Sequence, residues 1–174
     1  MPDTIQIRPL DVFDEDEIQA LSDVLIDCVE GGASVGFMQP LSRGKANTFW
    51  LGVAAGVGRG ERILLSAWDA AGAMLGTVQI VFAPYDNQPH RADVAKMLVH
   101  RRARRRGVGA ALLSAAERAA LDAGKTLLVL DTASGDAERL YLKGGWKRCG
   151  VIPDFALLPG GGPCDTTIFY RTLS

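Results

Sequence analysis

The most informative segment for chemistry is a basic run that leads into two glycines. It reads Arg101-Arg102-Ala103-Arg104-Arg105-Arg106-Gly107-Val108-Gly109. Guanidinium groups bind phosphates through paired hydrogen bonds, and glycines let the N–H groups at a helix start approach an anion closely. No Gly-Lys-Ser/Thr follows and a third glycine is missing, so neither a P-loop nor a dinucleotide fingerprint is present. The segment predicts a phosphate-binding turn, although a tight turn beside a solvated charge run has the same composition.

Composition limits the partners of this turn. The 174 residues include 19 Lys and Arg against 20 Asp and Glu, a net charge of −1. Such a balance creates no long-range field for nucleic acid or an anionic membrane, so neither is expected as a partner. With 48% apolar and 22% charged residues, the chain is typical of one globular domain over residues 1–174.

The chain also lacks the sequence marks of export and of metal binding. Its start, Met1-Pro2-Asp3-Thr4, has neither the basic region nor the apolar run of a signal peptide, and no apolar stretch is long enough to span a bilayer. Cys28, Cys149 and Cys164 have no metal-ligand spacing. We therefore expect a cytoplasmic protein with reduced thiols, no metal and no membrane partner.

Hydrophobic periodicity and turn residues give the elements that must position the turn. The predicted strands are residues 4–8, 63–68, 74–82, 93–99, 126–130, 146–151 and 167–172. Four helices are predicted: one from the Asp14/Glu17 pair to Gly31, one capped by Ser42, one opened by residues 107–109, and one capped by Ser134. This order predicts a single α+β domain with a mixed sheet.

Within this order, Arg104-x-x-Gly107-x-Gly109 resembles the CoA-binding signature of the GNAT superfamily of N-acetyltransferases. The resemblance covers nearly the whole chain. It implies the GNAT acyl-CoA N-acyltransferase fold: about seven strands, four helices on both faces, and a splay between strands four and five that receives acetyl-CoA. The cofactor-binding residues implied are Met97, Leu98, Val99, Arg104, Arg105, Arg106, Gly107, Val108, Gly109, Ala110, Thr132 and Ser134.

A closer resemblance within the superfamily is to tabtoxin-resistance-type acetyltransferases. It rests on four separated stretches in the same order: residues 31–38, 91–94, 130–132 and 167–173. This resemblance implies that acidic residues at Asp93 and Asp131 deprotonate the acceptor amine through water, and that Tyr141 lies near the cofactor sulfur. Where relatives carry glutamate this chain has Asp93, one methylene shorter, so a bridging water is favoured over direct contact.

The chemistry requires such groups. An alkyl amine with a pKa near ~10 is mostly protonated at neutral pH, and only its neutral form attacks a thioester. A carboxylate or a carboxylate-held water accepts the proton, and a tyrosine protonates the leaving thiolate or donates a hydrogen bond to it. Structural roles remain open for all three residues: Asp131 as a turn-backbone acceptor, Asp93 as an ion pair with Arg91 or Lys96, and Tyr141 as core.

In this superfamily the acceptor usually lies against the loop between the first two helices and the loop between the last strands. Those are residues 32–38 and 153–165 here. Phe37, Met38 and Phe155 are candidates for an apolar wall, and Ser34 and Asp154 for polar contacts, although fold-bracing roles are equally open. The expected acceptor is the primary amine of a small molecule, with an amino-acid toxin or antibiotic, and thus resistance, as one form.

Two other functions fit parts of the sequence. Gly32-Ala33-Ser34-Val35-Gly36 matches the G-x-S-x-G motif of serine hydrolases, but that motif requires a preceding strand, and an amphipathic helix is predicted there. A catalytically silent CoA-binding sensor would share the same phosphate-binding turn. The sequence does not distinguish a monomer from a homodimer.

Overall fold

Seven strands form one sheet in the computed structural model, which describes residues 4–174. The strand order is β1-β2-β3-β4-β5-β7-β6. The strands are β1 (Gln6–Pro9), β2 (Arg62–Trp68), β3 (Met74–Phe82), β4 (Arg91–Val99), β5 (Leu127–Thr132), β6 (Lys147–Leu157) and β7 (Pro163–Thr172). Among these strands, β4 and β5 are the single parallel pair. The predicted mixed sheet is therefore confirmed.

Three of the four α-helices of the described chain begin at residues whose side chains cap them. The four are α1 (Glu15–Glu30), α2 (Arg43–Gly58), α3 (Val108–Asp122) and α4 (Gly135–Lys143). Asp14 and Glu17 form a reciprocal capping box at α1. The hydroxyl groups of Ser42 and Ser134 accept hydrogen bonds from the backbone of the first turns of α2 and α4. Each cap satisfies N–H groups that a helix start leaves without partners.

The helices cover both faces of the sheet, and a separate apolar core lies on each face. The core under α1 and α2 contains Trp50, Leu64 and Leu98. The core under α3 and α4 contains Leu65, Leu112 and many further strand residues. Because neighbouring strand residues point to opposite faces, the adjacent Leu64 and Leu65 belong to different cores. This alternation decides which face each site residue of β4 and β5 occupies.

Pairing between β4 and β5 ends early. The paired residues run from Arg91 opposite Leu127 to Asp93 opposite Val129. Beyond them, residues 94–99 of β4 and residues 130–132 of β5 are unpaired with each other, while β4 stays paired with β3 as far as Val99. The strands thus open into a wedge, as the family resemblance implied for strands four and five.

The last two strands differ from the sequence prediction. The prediction ended the sixth strand at residue 151 and treated residues 153–165 as a loop, but β6 continues to Leu157 and β7 begins at Pro163. Proline usually interrupts a strand, so Pro153 argued against a strand at this position. Because β6 is an edge strand, proline is tolerated there. Its register also shifts between Ile152 and Ala156, and Asp154 has φ of 52°.

Among residues 4–174, we find no helix with the length and hydrophobicity required to cross a membrane.

Candidate functional site

The predicted phosphate-binding turn lies at the open end of the wedge. Gly107 occupies the N-cap position of α3 with φ of 82°, and it offers no side-chain cap. Arg105 also has positive φ, 60°. A glycine accepts this left-handed conformation at little cost. The first N–H groups of α3 are therefore left for an external acceptor, and the helix dipole makes an anion the favoured one.

The five arginines of the basic run divide into two sets. Arg101 donates to the carboxylate of Asp27 through its backbone N–H at 2.8 Å and its Nε at 3.0 Å, and Arg102 donates to the carbonyl of Met74 at 2.9 Å. These two stabilise the fold. The other three, Arg104, Arg105 and Arg106, were predicted as cofactor-binding residues; all three are exposed around the turn, and Arg104 Nε also donates to the Val99 carbonyl at 3.4 Å.

Gly109 lies one residue inside α3, against the wall of the wedge. A Cβ atom added at this position would be 3.3 Å from a methyl group of Leu140 and 3.9 Å from a methyl group of Val99. A larger side chain would therefore be crowded by Leu140 and Val99 at the start of α3. Val108 is buried in the core below, while Ala110 is exposed on the next position of the same turn.

Met97, Leu98 and Val99 were predicted to line the cofactor with their backbone. They lie in the unpaired part of β4, so their strand edge faces the wedge instead of β5. The Leu98 side chain is buried under α1 and α2. The carbonyl of Val99 already accepts weak hydrogen bonds, from Cys28 Sγ at 3.5 Å and Arg104 Nε at 3.4 Å.

The two candidate carboxylates share one face of the sheet. Their neighbours Ala92, Leu128 and Leu130 pack in the core under α3 and α4, so Asp93 and Asp131 project to the opposite face, toward α1 and α2. Asp131 is exposed and accepts a hydrogen bond from Thr166 Oγ1 at 2.7 Å.

Asp93 is bound differently, because its Oδ1 lies 2.7 Å from Arg91 Nη1 in an ion pair. The sequence left Arg91 and Lys96 open as partners of Asp93, and the structure selects Arg91. Asp131 therefore has an exposed carboxylate oxygen with a single hydroxyl donor, whereas the Asp93 carboxylate is partly neutralised.

Tyr141 lies on α4, across the sheet from the carboxylates. It is 4% exposed, and its ring packs against Trp146 and Phe169 with centroid distances of 5.8 and 5.7 Å. Burial, and to a smaller extent the negative charge of Asp131, raises the pKa of Tyr141 to about 12. The phenol is thus fully protonated at neutral pH and electrostatically coupled to Asp131. Its ring also packs in the apolar core, which is the structural role that the sequence analysis left open for Tyr141.

Thr132 and Ser134, predicted to contact the cofactor, make local hydrogen bonds between β5 and α4. The Ser134 N–H donates to Thr132 Oγ1 at 3.2 Å, and Ser134 Oγ accepts from the Ala137 N–H at 3.4 Å. Thr132 also lines an open, polar cavity of about 430 Å³ together with Glu138 and Thr167, which are joined by a 2.7 Å hydrogen bond.

The two segments predicted for the acceptor do meet. Cys164 Sγ donates to Ser34 Oγ at 3.5 Å, and the Gln39 N–H donates to the carbonyl of Pro159 at 2.9 Å. Phe37 packs edge-on against Phe49 of α2, with ring centroids 5.3 Å apart. The loop after α1 is therefore seated on the β6–β7 hairpin.

The other candidates for the acceptor wall are more exposed. Met38 is 45% and Phe155 54% exposed. Asp154 and Phe155 lie within β6, not in a loop, and the Asp154 N–H donates to Asp165 Oδ1 at 3.0 Å. The prediction that both residues belong to a loop is wrong.

The sequence analysis named Lys96 as a possible ion-pair partner of Asp93 but did not select it as a site residue. It occupies the unpaired part of β4 with φ of 50°, and its Nζ lies 5.9 Å from the Phe49 ring centroid. Burial lowers the pKa of Lys96, and the charge of Asp131 opposes that shift. A lysine inside an apolar strand was the available sequence signal.

Ser34 does not form the strand-to-helix turn of a serine hydrolase. It follows α1, a helix, and its hydroxyl contacts a cysteine thiol. His100 is hydrogen-bonded to the Arg102 N–H and lies 3.5 Å from Asp27. The geometry required by the G-x-S-x-G motif is therefore missing at Ser34.

Solved structures share the fold of this chain. A phosphinothricin acetyltransferase from Sinorhizobium meliloti, solved in complex with acetyl-CoA, superposes with a TM-score of 0.82 at 20% identity, covering 100% of this chain and 90% of that chain. A ribosomal-protein-alanine N-acetyltransferase from Brucella melitensis gives 0.79 at 21% identity, covering 97% and 99%. An N-acetyltransferase from Staphylococcus aureus Mu50 gives 0.81 at 18% identity, covering 98% and 99%.

At these low identities, the neighbours show only that the fold is shared. Their names refer to different acceptors, a ribosomal protein and phosphinothricin. The family is shown by the sequence itself, because residues 45–146 match the model of the acetyltransferase (GNAT) family. This match spans α2 through α4, including the wedge, the turn and Tyr141. The chain therefore belongs to the acetyltransferase (GNAT) family.

Proposed function

We propose that this protein transfers an acetyl group from acetyl-CoA to the primary amine of a small molecule, with an amino-acid-type toxin or antibiotic as a candidate acceptor. The observation that carries the proposal is the wedge between β4 and β5, which opens beside the uncapped start of α3. A diphosphate at that helix start would be bound by N–H groups and by the exposed guanidinium groups of residues 104–106. Cytoplasmic action, as a monomer or a homodimer, belongs to the same proposal.

Acetyl-CoA supplies the activated acyl group as a thioester. The amine nitrogen forms a bond to the acyl carbon, the carbon–sulfur bond breaks, and the CoA sulfur leaves with the electron pair. The chain must therefore remove a proton from the acceptor and provide one near the sulfur. Unpaired N–H groups on the wedge side of β4 would polarise the acyl carbonyl.

Asp131 is the better of the two carboxylates for the base, acting through water. It is exposed, projects to the α1 and α2 face and has Thr166 as a hydrogen-bond donor. Asp93 accepts a hydrogen bond from Arg91 at 2.7 Å. Its role would therefore be to hold the same water or to add negative electrostatic potential near the acceptor amine. Tyr141 is the candidate donor to the leaving sulfur, since its hydroxyl is protonated at neutral pH, and its raised pKa favours a hydrogen bond to the sulfur over complete proton transfer.

Two measurements test the proposal. Calorimetry with acetyl-CoA should show binding to the purified protein. A thiol-release assay across amino acids, polyamines, aminoglycosides and peptide N-termini should show CoA formation with at least one class. Acetyl-CoA binding without thiol release across the panel would support a silent sensor, and absence of binding would contradict the cofactor assignment.

A further inference from the structure

Lys96 lies where the backbone of β4 departs from regular geometry. Thr77 of β3 pairs with Leu98 and Gln79 pairs with Ala95, so one residue of β3 faces both Lys96 and Met97. This is a β-bulge, and Lys96 takes a left-handed φ of 50° there. Bulges redirect a side chain, and a left-handed lysine costs free energy. The strain is located at the widening part of the wedge.

The Lys96 ammonium is surrounded by elements from the acceptor side. Its Nζ is 3.6 Å from the position that a Cβ atom of Gly36 would take, which places it against the loop after α1. On another side it lies 5.9 Å from the Phe49 ring centroid. Phe37 of the same loop packs on Phe49. The cation is thus at the meeting point of β4, α2 and the loop.

No carboxylate among residues 4–174 forms an ion pair with this half-buried cation. Asp131 influences it at a distance, without direct contact. Lys125 shows how a lysine is satisfied elsewhere, since its Nζ donates to the carbonyl of Pro89 at 2.7 Å and lies 4.5 Å from the Phe82 ring centroid. A partly desolvated charge without an ionic partner favours binding of an opposite charge.

We propose that the Lys96 ammonium binds a carboxylate of the acceptor, so that the acceptor is an amine that also carries a carboxylate. This inference rests on the proposed acetyltransferase function. The acceptor's carboxylate would lie between Lys96, Gly36 and Phe49, and its amine would be directed toward Asp131, on the same face of the sheet. The chain would then reject amines that lack an anionic group.

The test compares each amino acid with its own primary amide in the thiol-release assay. The quantity measured is the ratio of kcat/KM for acid over amide, within one variant. The intrinsic reactivity of each α-amine is the same with every variant. It therefore cancels when the acid-to-amide ratio of one variant is compared with that of another. Lys96→Met should lower the ratio by about 10- to 100-fold, the value of a charge-assisted hydrogen bond.

Three controls separate this role from others. Lys96→Arg keeps the charge and should retain most of the preference for acids, whereas Lys125→Met removes a lysine beside another ring and should leave the ratio unchanged. The third control is the acetyl-CoA affinity of Lys96→Met, measured by calorimetry. It should stay within about threefold of the wild-type affinity, because Lys96 is proposed to contact the acceptor and not the cofactor. Loss of a direct charged contact with the cofactor would lower the affinity by more than this.

An unchanged acid-to-amide ratio in Lys96→Met overturns the inference. If Lys96→Met fails to fold, a wild-type enzyme that acetylates only amines without carboxylates overturns it as well. Both of those results leave the proposed acetyl transfer intact. Failure of the wild type to bind acetyl-CoA, or to acetylate any amine, removes the proposed function and the inference together.

Discussion

The cofactor side and the acceptor side of this protein are built by different means. On the cofactor side, the groups that would bind a diphosphate are backbone N–H groups at the start of α3, made accessible by Gly107. On the acceptor side, the candidate groups are side chains from five elements: the loop after α1, α2, β4, β5 and the β6–β7 hairpin. Backbone recognition depends on a short local motif, whereas side-chain recognition depends on distant contacts.

This difference explains why the family match covers the whole cofactor side but only part of the acceptor side. The matched residues 45–146 contain the turn and the wedge but exclude the loop after α1 and both strands of the last hairpin. Structural neighbours named for phosphinothricin and for a ribosomal protein superpose almost equally well. A common fold supports many acceptors. Substitutions on the two sides should therefore separate cofactor binding from turnover.

The largest effect is expected at the turn. Gly109→Trp should weaken acetyl-CoA binding by at least about 100-fold, because a bulky indole crowded by Leu140 would occupy the start of α3, where N–H groups are proposed to bind the diphosphate. Calorimetry measures the loss, and circular dichroism checks the fold. Gly52→Trp, at an exposed position of α2 with open space around it, is the matched control. Wild-type affinity in Gly109→Trp would contradict the cofactor site.

On the acceptor side, the largest effect is expected at Asp131. Asp131→Asn should lower kcat about 100-fold, the lower range for loss of a general base, while acetyl-CoA affinity changes little. Steady-state thiol release measures kcat, and calorimetry measures the acetyl-CoA affinity. Asp136→Asn changes a carboxylate on α4 that is 81% exposed and should have no effect. Equal losses in kcat and cofactor affinity would make Asp131 structural.

Tyr141 connects the two sides, and its removal should have a smaller kinetic effect. Tyr141→Phe should lower kcat by about 10- to 100-fold through loss of the proton near the leaving sulfur, while the ring contacts with Trp146 and Phe169 are retained. Tyr85→Phe, at a side chain 60% exposed, is the control. Unchanged turnover would leave Tyr141 with a packing role alone.

The local parts of this arrangement could be predicted from the sequence, and the long-range parts could not. The capping box of Asp14 and the caps of Ser42 and Ser134 depend on residues three positions apart, and all three were predicted. The Ser34–Cys164 contact joins residues 130 positions apart, and the bulge at Lys96 depends on the register between β3 and β4. No local pattern encodes either feature.

The alkaline stability of the protein provides a further test of the environment of Tyr141. Its pKa is raised to about 12 in the folded state, against ~10 in an unfolded chain. Between these values the unfolded state releases the proton and the folded state keeps it, so stability is lost as pH rises through this window and is intact below it. Urea unfolding at pH 9 and pH 12 should show a loss on the order of 2 kcal/mol that Tyr141→Phe avoids. Parallel losses in both proteins would mean that the hydroxyl is hydrated.

The smallest effect is expected at Ser34, where the acceptor side touches the hairpin. Ser34→Ala removes the acceptor of a 3.5 Å contact from Cys164 Sγ, a weak hydrogen bond that contributes less than about 1 kcal/mol. Turnover should therefore change by less than about threefold, measured by thiol release with the best acceptor of the panel. A nucleophilic serine would instead lose several orders of magnitude. Ser34 lies beside the hairpin, whereas Lys96 lies in the wedge. If Lys96→Met changes the acid-to-amide ratio and Ser34→Ala does not, the residue that selects the acceptor lies on β4.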